Sequence, residues 1–192
     1  KHPNVYKYGV DIFLTFLALR YGCRIKQVTL GQKKHKPSFG KMIPMFEQVC
    51  CTLLWLINQY PASLKNKSIV LNSGQSSISN EYLKPAKNLI LKRKMEILNL
   101  IDKINNKNLP NTLSMNINNI KKDINVPKEK WLGILFDFCN HVITLKSRKV
   151  SSNINTLSKA FTPIFLARVL TFYDEIEGKS AKYIEKLIEY NS

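Results

Sequence analysis

Apolar residues recur at the i, i+3, i+4 spacing of a helix along most of this chain, and glycine or proline punctuates the runs. That pattern constrains the fold more than any motif, because each run must bury one face against another. Val10, Phe13, Leu14, Leu17 and Tyr21 predict a helix over 9–21, closed by Gly22 at the first position past its end. Met42, Met45, Phe46, Val49, Leu53 and Leu56 predict a long helix over 41–59, with Pro44 in its first turn and Tyr60-Pro61 ending it. A third helix is expected from about Leu83, with Pro85 in its first turn, to near Asn105, burying Ile90, Leu91, Ile97, Leu98 and Ile101. Pro127 opens a fourth, in which Trp131, Leu132, Leu135, Phe136, Cys139 and Val142 repeat to about 146. Trp131, Phe136 and Phe138 read as core, as do Met42 and Met45. Residues 151–173 read as helical with a kink or break at Pro163, and a last helix is expected over 180–190 after Gly178. Residues 61–80 read as a polar loop with one apolar patch, and 106–126 as an asparagine-rich connector.

One stretch departs from this pattern. Residues 24–30 set Ile25, Val28 and Leu30 among polar residues in imperfect alternation, which reads as a short strand. Residues 31–40 follow as a basic loop broken by Pro37. A single strand cannot make a sheet, so this piece is expected to finish a sheet built from other strands. The fold is therefore read as mainly α: an α/β piece over 1–40, then a helical domain over 41–192. The opening residues, Lys1-His2-Pro3-Asn4, look like the interior of a loop, as if cut from a longer chain.

The chain has 192 residues, 44% of them hydrophobic, which suffices for a core and argues against wholesale disorder. No apolar run approaches the ~20 residues that span a bilayer, and no secretory signal pattern is visible. Cys23, Cys50, Cys51 and Cys139 form no CxxC pair and read as reduced core residues of a cytoplasmic protein. The net charge of +17 favours anionic partners. The lysines are scattered and no nucleic-acid-binding motif appears, so nucleic acid is not the expected partner.

Tyr8-Gly9-Val10-Asp11-Ile12, then Gln27-Val28-Thr29-Leu30-Gly31, then Lys34-His35 resembles the end of the catalytic domain of GT-A glycosyltransferases. The likeness is to the family-2-like mannosylglycerate synthase and glucosyl-3-phosphoglycerate synthase type. Trp131 to Phe138 and Phe161 to Val169 are similar to the helical C-terminal part of such enzymes. The resemblance implies a C-terminal portion of a metal-dependent transferase, inactive without a separate N-terminal half that binds the nucleotide. No Asp-x-Asp motif is present in this chain.

The resemblance also implies site roles. His35 matches the histidine that ligates Mg²⁺ or Mn²⁺, which would bridge the diphosphate of a nucleotide-sugar donor. Asp11 matches an acidic residue on the acceptor side, suited to bind hydroxyls or assist proton transfer. Lys33, Lys34, Lys36 and Lys41 are candidates for phosphate contacts. Lysines beside His35 repel a cation and make sense only if phosphates bind there too. Lys33 stands where the phosphoglycerate-type enzymes carry Arg; a point charge replaces a fork, so the acceptor's identity does not carry over beyond small or phosphorylated. Gly9 and Gly31 read as backbone requirements, a close approach and a turn. For each charged residue a plain alternative stands: Asp11 favoured in a helix first turn, and His35 and its lysines as solvated loop residues. His141 reads as structural. Two further functions stay open, a helical interaction or oligomerisation module and a basic binder of nucleic acid or anionic surfaces.

Overall fold

The computed structural model describes residues 3–25, 41–61, 87–104, 109–145, 150–180 and 183. A 3₁₀ turn, Pro3–Tyr6, leads into α1 (Val10–Arg20), α2 (Met42–Gln59), α3 (Lys87–Asp102), α4 (Asn111–Lys122), α5 (Lys128–Thr144) and α6 (Val150–Ile176).

α6 is the axis around which the described helices pack. α6 packs against α2, α3, α4 and α5. Ile154, Leu157, Ala160, Phe161, Ile164, Leu166, Ala167 and Leu170 are all buried, so the helix is covered on every side through its middle. Its buried hydroxyls are satisfied within the helix. Ser158 Oγ donates to the Ile154 carbonyl at 2.9 Å, and Thr162 Oγ1 to the Ser158 carbonyl at 2.9 Å. Thr171 Oγ1 donates to the Ala167 carbonyl at 3.0 Å and accepts the Val126 N–H at 2.9 Å, tying α6 to the α4–α5 connection.

An aromatic cluster joins three helices. The Phe161 ring stacks on Phe138 of α5 at 4.4 Å between centroids and lies 5.6 Å from Trp131. Phe46 of α2 stacks on Phe165 at 3.9 Å. Each such pair adds about 0.5–1.5 kcal/mol beyond the area it buries. Asn58 of α2 donates from Nδ2 to the carbonyls of Val142 at 2.8 Å and Leu145 at 3.2 Å, satisfying the C-terminal end of α5.

The helix–strand–loop end of an α/β domain is corrected here. Every regular element among the described residues is helical, and none is a strand. Of the expected strand, Arg24 and Ile25 are exposed and carry no regular structure; 26–30 lie outside the described residues. α1 buries Phe16 and packs on α2, so its apolar side is covered by helix. The alternation behind the strand was imperfect, and the short segment had no partner in view.

Other expectations are corrected too. α6 runs unbroken through Pro163. The ring costs one backbone bond, but it is itself fully buried, and packing on all sides holds the helix together. The supposed connector contains α4, whose Leu113, Ile117 and Ile120 are buried at helical spacing. Phe136 is 68% exposed and Met45 40%, although both read as core. Leu14 on α1, Tyr21 just past its end, and Leu91 and Leu98 on α3 are also exposed rather than buried. Cys23 is exposed, while Cys50 and Cys51 are buried and Cys139 is half-buried. Of the loop expected over 61–80 only Pro61 is described, and of the helix expected over 180–190 only Ser180 and Tyr183.

Candidate functional site

The N-terminal arm is seated by a glycine. A Cβ on Gly9 would lie 2.9 Å from the Asn4 carbonyl oxygen and closer still to Thr52 Oγ1. Thr52 is fully buried and donates to the Gln48 carbonyl at 2.8 Å. Beside it, the Tyr8 N–H donates to Gln48 Oε1 at 3.3 Å. α1 therefore starts level with the middle of α2. At its far end the Arg20 guanidinium stacks over Tyr60 at 3.7 Å, at the end of α2.

This seating puts Asp11 in the first turn of α1 with its side chain exposed. Lys41 is exposed at the N-cap of α2. Eleven helical residues separate the levels of Lys41 and Thr52, about 16 Å along the axis. The fold does not bring Lys41 to Asp11, and among the described residues neither joins an ion pair. Gly31, Lys33, Lys34, His35 and Lys36 lie outside the described residues. Among the described residues no three His, Cys, Asp or Glu side chains gather to hold a metal ion.

A concavity that the sequence did not announce lies between α5 and α6. His141 near the end of α5, with Leu145, faces Asn153, Thr156 and Leu157 of α6 across an open cleft of about 330 Å³. His141 also borders a shallow pocket with Asp137 and, from α4, Thr112 and Asn116. An imidazole, a carboxamide and a hydroxyl over a leucine floor can hydrogen-bond a small polar molecule. Helical spacing alone gave no sign of this grouping, because its residues come from separate helices.

The thiols of α2 and α5 are poor nucleophiles. Burial pushes Cys50 up to about 12, a hydrogen bond with Ser158 opposing. Cys51 and Cys139 are also raised by burial. Burial likewise raises the Glu47 carboxyl, and the Lys159 charge works against it.

No protein-family model matches this chain, no curated protein matches it and no solved structure matches it.

Proposed function

We propose that this chain is the C-terminal portion of a metal-dependent glycosyltransferase that moves a sugar from a nucleotide-sugar donor to a small or phosphorylated acceptor. The observation that carries the reading is the order of Gly9-Val10-Asp11 and Lys34-His35, together with the exposure of Asp11. Gly9 locks α1 onto α2 and leaves the carboxylate in solvent, unused by the helical body. In this reading Asp11 binds acceptor hydroxyls and His35 helps hold Mg²⁺ or Mn²⁺. Lys33, Lys34 and Lys36 meet the donor diphosphate; Lys41, at the N-cap of α2, meets a phosphorylated acceptor or solvent. A separate N-terminal half supplies the nucleotide site and further metal ligands, and the protein works in the cytoplasm. No helix among the described residues is long and apolar enough to cross a membrane.

The test is transfer and hydrolysis of nucleotide sugars with Mg²⁺ or Mn²⁺ by the full-length protein carrying this chain. His35→Ala is expected to abolish the metal-dependent rate, and Asp11→Ala to reduce transfer to the acceptor. Unchanged rates in both variants overturn the site assignment, and no turnover of any donor overturns the activity.

A second reading, a helical interaction module, is favoured by large apolar side chains standing in solvent on α5. Leu132 is 63% exposed and Phe136 68%.

A further inference from the structure

The exposed side of α5 is built like a surface that meets its own copy. Leu132 and Phe136 stand one turn apart on the same face. Between them lies Gly133, exposed, with nothing within 4 Å of where a Cβ would be. A glycine inside a helix costs about 1 kcal/mol relative to alanine. Nothing among the described residues needs the space it leaves, whereas a second helix crossing there could approach backbone to backbone.

The charges argue for what that second helix is. Lys130 and Asp137 are both exposed, and among the described residues neither joins an ion pair. Seven residues apart, they fall about two turns from each other along one edge of the face. In an antiparallel pair related by a two-fold axis, an edge meets the same edge of the partner in reversed order. A cation at one end and an anion at the other then meet opposite charges twice. With the axis beside Gly133 and Ile134, Lys130 lies level with the partner's Asp137, and Leu132 falls within about one residue's rise, ~1.5 Å, of the partner's Phe136. A parallel two-fold pairing would turn this edge toward the opposite edge of the partner, and the two charges would not meet.

We propose that α5 is a self-association surface, on which two copies of this chain pair antiparallel across Gly133, with Leu132 and Phe136 covered and Lys130 facing the partner's Asp137. This names the partner for the interaction-module reading and does not depend on glycosyl transfer. A monomeric chain would overturn it and leave the transferase reading intact.

The experiment is the mass of the 192-residue chain by light scattering and sedimentation, over concentrations up to on the order of 100 μM. A dimer is expected. Phe136→Glu should raise its dissociation constant at least ~10-fold while helicity and melting temperature stay unchanged. Asp137→Lys alone and Lys130→Asp alone should each weaken it, since each sets like charges face to face. The double variant Lys130→Asp/Asp137→Lys should restore it, which damage to the fold would not do. A monomer throughout, a dimer indifferent to Phe136→Glu, or no restoration by the double swap overturns the proposal. So does a dimer that forms only with another protein on this face.

Discussion

Two residues show how close contact and burial set stability. Gly9 touches Thr52 so closely that one added methyl must push α1 away from α2. Gly9→Ala should therefore destabilise by about 1–3 kcal/mol in urea unfolding. Adding Thr52→Ala to it should recover part of the loss, because the hydroxyl is the nearest obstacle. Glu47 behaves differently. Burial holds its carboxyl above the ordinary 4.5, so the folded protein keeps that proton to higher pH than the unfolded chain does. Between the two values the native state binds more protons, so stability falls as pH rises. Glu47→Gln should melt higher than the parent at neutral pH, and the difference should vanish below the ordinary carboxylate value. An equal difference at both pH values would remove this account.

At the scale of the element, helix ends and interruptions matter most. Asn58 closes α5 from a neighbouring helix with two hydrogen bonds from one amide nitrogen. Asn58→Ala should cost about 1–3 kcal/mol, since in a partly buried place the Leu145 carbonyl loses this donor and the Val142 carbonyl is left with the Leu145 N–H. Chemical denaturation of the variant reads this directly. In α6, Pro163 withholds an N–H from the Lys159 carbonyl, a penalty of about 3 kcal/mol. Its ring also fills buried space, and two ring carbons are worth about 0.8 kcal/mol each, with a cavity term besides. Pro163→Ala should thus raise stability by no more than about 1 kcal/mol; a clear loss would mean that packing around the ring dominates. These features differ in how far the sequence announced them. Gly22 closes α1 where a left-handed residue was expected, at φ 71°, with the Cys23 N–H bonded to the Ala18 carbonyl at 2.9 Å. The continuity of α6 through a proline was not readable, because it rests on neighbours from four other helices.

At the scale of the whole molecule, charge opposes compaction. A net charge of +17 repels itself. Against it, the ion pair between Lys121 and Asp102 is exposed on both sides and is worth no more than about 1 kcal/mol. Added salt should therefore raise the melting temperature, by screening repulsion more than it weakens pairs. A fall with salt would show that local pairs outweigh the net charge. The same surface charge gave the sequence reading its anionic partners but could not say where they bind. Asp11 and Lys41 were both expected at the site, yet α1 and α2 set them at different levels.

Helical periodicity by itself determined where α2 and α5 run and where α1 stops, because hydrogen bonds within a turn and left-handed backbone are local matters. It carried enough information for α4 as well, in the spacing of Leu113, Ile117 and Ile120. Tertiary structure alone decided which faces are inside. α2 and α6 carry apolar residues on more than one side, so neither has a unique buried stripe until its neighbours are chosen. Packing in three dimensions is what put Thr52 inside, left Phe136 outside, and gathered His141, Asn153 and Thr156 around one cleft.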